Sequence, residues 1–141
     1  MYVPQIKLSA FAQLPVGTRL SILHSLLNAL TLENLGILYY NNVPSIYQIA
    51  PKYKLKVADI DEWLDIPDII KRKTGDCKDF ACWRAAELMR QGESARPFIQ
   101  YKKQGDVDLY HIVVQRGNGQ IEDPSKLLGM PSNINYNDIK R

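Results

Sequence analysis

Charge is what the first third of this sequence has little of. Residues 1–50 carry only Lys7, Arg19 and Glu33, and the other 30 charged side chains fall in residues 51–141. Apolar residues are plentiful in both parts: 45% hydrophobic content against 23% charged excludes a disordered chain. No apolar run approaches about 18 residues without polar interruption, so no transmembrane helix is expected. The opening Met-Tyr-Val-Pro-Gln-Ile-Lys lacks the basic start and long apolar stretch of a secretory signal. A net charge of +3, with no basic stripe interleaved with aromatics, gives no reason to expect a nucleic-acid partner. The expected location is the cytoplasm or the inside of a virus particle, away from membranes.

Cysteine and histidine are also scarce. Cys77 and Cys82 are the only cysteines, and a bridge between residues five apart would staple almost nothing. There is no Cys-x-x-Cys pair and there are only two histidines, so zinc on the usual spacings is not expected. The cysteines read as thiols of a reducing compartment.

At 141 residues the chain is read as one domain, residues 1–141, able to bury roughly 68–70% of its unfolded surface. Within it, residues 1–56 form a mostly helical, charge-poor part, 57–126 a core, and 127–141 a polar tail. Thr18 can cap a helix over residues 18–30, with Leu20, Leu23, Leu26, Leu27 and Leu30 at helical spacing. Its polar side is thin, carrying only Ser21, Ser25 and Asn28 after Arg19. Residues 31–56 read as short turns and loops around Asn41, Asn42, Pro44 and Pro51. A helical pattern returns from Val57, with Ile60, Trp63 and Leu64 on one face. Pro67 suits the first turn of a further helix reaching Lys73. Gly75 then breaks the chain, and a helix is predicted over residues 77–91, with Asp76 as N-cap, Asp79 completing a capping box and Gly92 at the stop. Strand patterns follow over 97–103, 108–116 and 120–123, separated by Gly105-Asp106 and Gly117-Asn118-Gly119, as in an antiparallel meander. The order predicts an α+β domain.

Cys77 falls in the first turn of the predicted helix, where free backbone N–H groups and the macrodipole favour a thiolate, so a lowered pKa is expected. Cys82 lies about 140° further round and reads as an inert core thiol. In the strand over 108–116, alternation places His111 with Leu109 and Val113 on one face and Tyr110, Ile112 and Val114 on the other. Asp123 ends the next strand. Together Cys77, His111 and Asp123 supply a nucleophile, a base and an orienting carboxylate. Register tests this grouping. A two-residue Asn118-Gly119 hairpin would set Asp123 opposite Val114, on the face away from His111. A three-residue Gly117-Asn118-Gly119 loop sets it opposite Val113, diagonally beside His111. The triad therefore predicts the three-residue loop, or a bulge of equal parity, rather than the simplest turn.

Thr74-Gly75-Asp76-Cys77-Lys78-Asp79-Phe80-Ala81, His111-Ile112-Val113-Val114 and Ile121-Glu122-Asp123-Pro124 resemble the transglutaminase-like cysteine peptidase superfamily. Trp63-Leu64-Asp65-Ile66-Pro67 is similar to the segment that leads into the Gly-Asp-Cys-x-Asp motif of its bacterial members. The resemblance covers roughly residues 57–126. It implies a transglutaminase-like, papain-like core with a helical N-terminal part, a helix carrying the nucleophile and an antiparallel sheet packed on it. It also implies Cys77 as nucleophile, His111 as general base and acid, and Asp123 as its orienter. Gly75, Asp76 and Asp79 would then shape the helix start. The Cys77 backbone N–H is the natural oxyanion donor; Trp63, Asn41 and Asn42 are candidates for a second. Some bacterial members place two adjacent acids after the cysteine at a calcium site. Lys78 replaces the first, which argues against calcium, and no cofactor or metal is expected. The motif of the related papain-like cell-wall amidases, Asp-Cys-Ser-Gly, fits Lys78-Asp79 poorly.

The expected activity is cysteine-dependent hydrolysis of a peptide or isopeptide bond, with a protein or peptide as substrate. The runner-up is a structural subunit of a larger assembly, such as a bacteriophage virion, built on the same fold. Amine transfer, cross-linking proteins through the same triad, is a third reading. A homo-oligomer or larger assembly would form through the charge-poor N-terminal third, and exposure of Leu20, Leu23 and Leu27 would favour such docking. His24, Trp83, Tyr39 and Tyr40 read as core or interface side chains. Lys71-Arg72-Lys73 reads as a basic helix end suited to the dipole.

Overall fold

The computed structural model of the chain describes residues 11–55 and 62–131. After a short 3-10 turn, Phe11–Gln13, helix α1 spans Val16–Tyr40, starting before Thr18 and ending ten residues beyond the expected Leu30. Pro15, which cannot donate a backbone hydrogen bond, takes the N-cap position in place of Thr18. The second half of α1 escapes a hydrophobicity reading because its buried positions include polar residues. Leu27, Leu30, Thr31, Asn34 and Ile37 form the inward stripe at spacings of three and four. Thr31 donates its hydroxyl to the Leu27 carbonyl (2.8 Å), and Asn34 Oδ1 accepts the Ile66 backbone N–H (3.0 Å). Residues 31–40 are therefore helix rather than turns.

Helix α2, Ile46–Ile49, carries a capping box between Ser45 and Gln48. Strand β1, Lys52–Tyr53, then pairs in parallel with β2, Thr74–Gly75. Of the helix expected from Val57, residues 57–61 lie outside the described ones. Trp63 and Leu64 belong to no helix, because the Leu64 N–H is drawn to the Asp79 carboxylate (2.9 Å). Helix α3, Ile66–Arg72, starts at Asp65 as N-cap with Pro67 in its first turn, and Lys73 closes it at φ 61°. Helix α4 spans Cys77–Arg90, and Asp76 and Asp79 form the predicted capping box.

The remaining strands form a meander in the order β3-β4-β5. Strand β3, Arg96–Gln104, and β4, Val107–Gln115, join through a two-residue turn at Gly105-Asp106, where Gly105 adopts φ +59°. Strand β5, Ile121–Glu122, leads into the single turn α5, Pro124–Leu127. The fold is a mixed α+β one, with helices and a small antiparallel sheet.

Helix α4 is the axis of the molecule. One side of it, with Ala81, Cys82, Ala85 and Leu88, packs with Leu27 and Leu30 of α1 and with Ile99, Ile112 and Val114 of the sheet. The other side, with Phe80 and Trp83, packs with Ile37, Ile46, Leu64, Ile66 and Ile69. A helix apolar on both sides is a buried helix, and its alanines allow α1 and the sheet to approach. Leu20 and Leu23 are partly buried and Leu27 is 1% exposed, so these three leucines cover the core instead of facing outward. Trp83 is fully buried as expected. Tyr39 and Tyr40 are not core, being 57% and 89% exposed at the end of α1, with the Arg90 guanidinium 4.3 Å from the Tyr39 ring centroid. His24 meets the Phe98 ring edge-on at 6.3 Å. Among the described residues no helix is long and apolar enough to cross a membrane.

Candidate active site

Capping fixes where the candidate nucleophile sits. Asp76 accepts the Asp79 N–H, Asp79 accepts the Asp76 N–H (3.1 Å), and Asp79 also holds Leu64. One fully buried carboxylate thus locks the helix start to the segment carrying Trp63. Gly75 is required by a close approach: a Cβ there would lie 2.7 Å from the Phe80 ring. Lys78 is largely buried, bonds Asp76 through Nζ (2.6 Å) and lies over the Trp63 ring at 5.4 Å. Cys77 begins α4 within this frame and keeps partial exposure, whereas Cys82 is fully buried, its thiol 3.4 Å from the Leu27 carbonyl.

The β4–β5 register places the other two residues. Val114 faces Glu122 and Gln115 faces Ile121, so the connection is the three-residue loop Gly117-Asn118-Gly119. Gly119 takes φ +87° and donates to the Arg116 carbonyl (2.9 Å), and Gln120 donates to Asn118 Oδ1 (3.0 Å). His111 and Asp123 come to the same face, with His111 Nε2 2.6 Å from Asp123 Oδ2. Asp123 also caps α5 by accepting the Lys126 N–H (3.3 Å).

The sulfur meets β4 at the residue next to His111. Arg116 donates its amide to Gln120 (2.7 Å), so the even-numbered amides of β4 point toward β5. Pairing with β5 stops at Glu122, and the Ile112 amide faces the space a longer β5 would fill; there it favours the Cys77 thiolate. Cys77 thus meets β4 at the residue next to His111, and Asp123 lies just beyond β5 on the His111 face. Among the described residues no hydrogen bond joins Cys77 Sγ to the His111 ring. With Nε2 held by Asp123, Nδ1 is the ring nitrogen left for the thiol.

The expectation of a lowered thiol pKa fails. Burial first, and the adjacent Asp76 carboxylate second, push the Cys77 thiol up to about 12, against the opposing pull of the Ile112 amide and Lys78. The helix start is electropositive, but burial, aided by the carboxylates that cap the helix, outweighs its effect on the sulfur. Asp123 lies on the other side of its ordinary value. Burial would raise it, but the His111 hydrogen bond and charge, with the Lys126 amide, hold it low. The Cys77 backbone N–H, in the first turn of α4, has no carbonyl partner within the helix. Asn41 is not placed as a second donor, because its side-chain amide caps α1 at the Ile37 carbonyl (2.9 Å); Asn42 is exposed in the loop that follows. Trp63 does pack against the same cluster as Cys77.

An ionic cluster that motif reading missed surrounds Glu122. Its carboxylate accepts from the Tyr47 hydroxyl, Arg84 Nε (2.6 Å) and Arg116 Nη1 (2.8 Å). Arg84 also reaches Glu87 (3.1 Å), whose other oxygen accepts the Ile46 N–H (2.8 Å). Arg116 grips Glu93 through two nitrogens (2.5 and 2.7 Å), holding that carboxyl down at about 2. The Arg84–Glu87 spacing on α4 was the one local signal of it. An open groove of about 390 Å³ runs beside Asp123, walled by Arg116, Ile121, Lys126 and Leu127. Among the described residues no group of three or more His, Cys, Asp or Glu could hold a metal ion. Compared with family models, curated proteins and solved structures, the chain matches none.

Proposed function

We propose that the chain is a cysteine-dependent hydrolase of transglutaminase-like type, acting on a peptide or isopeptide bond through Cys77, His111 and Asp123. The observation that carries this reading is the His111–Asp123 pair, formed beside a helix-start cysteine by the less common of two hairpin registers. A thiol raised to about 12 is almost wholly protonated at neutral pH, so it attacks only as His111 takes its proton. In this mechanism His111 Nδ1 accepts the Cys77 proton while Sγ bonds to the carbonyl carbon. The Cys77 N–H receives the oxyanion. Collapse of the tetrahedral adduct breaks the C–N bond, and His111 delivers the proton to the departing amine, leaving a thioester. Water, deprotonated by the same imidazole, then attacks the thioester and releases the carboxylic acid and the free thiol. A second amine in place of water gives transfer instead of hydrolysis. Asp123 keeps the ring oriented and stabilises the imidazolium throughout.

The test compares wild type with Cys77→Ala and His111→Ala on a quenched fluorescent peptide library and on γ-glutamyl-lysine isopeptides, with a labelled primary amine included. Cleavage by wild type alone supports hydrolysis, and incorporation of the amine redirects the reading to transfer. Equal rates for wild type and Cys77→Ala overturn both.

A further inference from the structure

We propose that Glu122 is a positioning residue: its part-buried carboxylate selects the β4–β5 register and so sets Asp123 on His111. The strand pairing itself is short, although the buried Pro124 and Ser125 anchor the chain just beyond it. Strand β5 contributes two paired residues, and an Asn-Gly dipeptide by itself favours the two-residue hairpin that the structure does not adopt. In the observed register Glu122 faces α4, opposite Val114, where donors from three parts of the chain converge on it: Tyr47 of α2, Arg84 of α4 and Arg116 after β4. Its side chain is 15% exposed and that of Arg84 16%, so both groups are largely withdrawn from water. A slip of one residue would turn Glu122 to the opposite face, leave Tyr47 without its acceptor and Arg84 with Glu87 alone, and carry Asp123 to the helix side, away from His111. Arg116 is in turn braced by Glu93, and Arg84 by Glu87, so the acceptor position is fixed from behind. Asp123 sits one residue beyond this clamp. The direction of its pKa, held low with His111 as partner, reports whether the register is intact.

The inference rests on the proposed function only in taking Asp123 as the orienter of His111, and its readout needs no substrate. In the full chain, cross-strand NOEs identify the residue facing position 122, and the Asp123 carboxyl carbon is followed by pH titration. In Glu122→Leu the Val114 contact is lost or passes to Gln115, and Asp123 titrates upward toward an ordinary aspartate. The Ile99–Ile112 contact of β3–β4 persists. Glu122→Gln, which keeps a carbonyl acceptor for Arg84, restores the Val114 contact. Retention of the Val114 contact and of the low Asp123 titration in Glu122→Leu overturns the proposal. Should that variant fail to fold, Tyr47→Phe takes its place. Faster exchange of the Arg116 amide, with β3–β4 amides unchanged, supports the clamp, and unchanged Arg116 exchange overturns it. Absence of wild-type hydrolysis, with these NMR results standing, would remove the proposed function and leave the register clamp intact.

Discussion

His111 and Asp123 meet at 2.6 Å, Nε2 to Oδ2, across a strand pair in which Asp123 would face the other way if the loop were one residue shorter. Asp123 also caps α5, so its two roles separate by substitution. Asn keeps the cap and the size but removes the charge that orients and supports the imidazolium. Asp123→Asn is expected to retain the fold while lowering the hydrolysis rate by about 10²–10⁴-fold. Asp123→Ala should add a loss of about 1 kcal/mol from the missing cap. Steady-state rates and chemical denaturation of the two variants check this, and an Asn variant with wild-type activity would remove Asp123 from the mechanism.

Alkylation separates the two cysteines. Cys82 is fully buried and its thiol is raised by burial, whereas Cys77 keeps partial exposure. Iodoacetamide should therefore modify Cys77 first in the folded chain. The thiolate is the reactive form. With the Cys77 pKa near 12, the labelling rate should climb roughly tenfold per pH unit from neutral to above pH 9. Peptide mapping of the labelled chain over that range reads both effects. Equal labelling of Cys77 and Cys82 contradicts their difference in exposure, and a plateau near pH 7 contradicts the raised Cys77 thiol.

The parts of the fold that carry their own punctuation were legible in the sequence. Pro67 and Lys73 mark α3, Asp76 and Gly92 bracket α4, and the glycines at 105 and 117–119 space the meander. The second half of α1 was not legible, since Asn34 reads as an exposed residue until its partner Ile66, 32 positions away, is known. The parallel pair β1–β2 has two residues per strand, too few to show a period. At the site, alternation placed His111 on its face, but the choice between a two- and a three-residue loop, on which the side of Asp123 depends, is made by the observed register. The thiol pKa was misjudged for a different reason: the helix dipole is a local property, but the burial that outweighs it belongs to the packed molecule. The Glu122 cluster likewise joins α2, α4 and the β4–β5 hairpin, and no local pattern announces it.

Gly75 tests how tightly the helix start is built. A Cβ at this position would come 2.7 Å from Phe80 Cε1 and 3.3 Å from the Asp79 Cβ, and Phe80 is fully buried and has little room to retreat. Gly75→Ala should cost about 1–3 kcal/mol, the usual range for overpacking a filled site. Because Asp79 holds both Asp76 and Leu64, the displacement should reach the Cys77 N–H as well. Denaturation midpoints measure the first effect, and the amide shifts of residues 76–79 measure the second. A variant as stable as wild type would show that Phe80 can move after all.

Glu33 offers a gain in stability. It lies on α1 with Oε2 buried and without a hydrogen-bond partner among the described residues. Burial first, and the neighbouring Asp65 second, raise its pKa in the folded chain. A carboxyl whose folded pKa exceeds its unfolded one contributes most below the unfolded value and loses that contribution as pH rises through the folded value. Glu33→Gln removes the ionisation and hence the loss. The variant should be more stable than wild type at pH 7 by a few tenths to about 1 kcal/mol. The advantage should shrink to nothing as the pH falls below the ordinary glutamate range, where Glu33 is protonated in both states. Paired denaturation curves at pH 7 and pH 4 test the sign: a Gln variant less stable at pH 7 would mean that Glu33 answers a positive charge rather than bearing an uncompensated one.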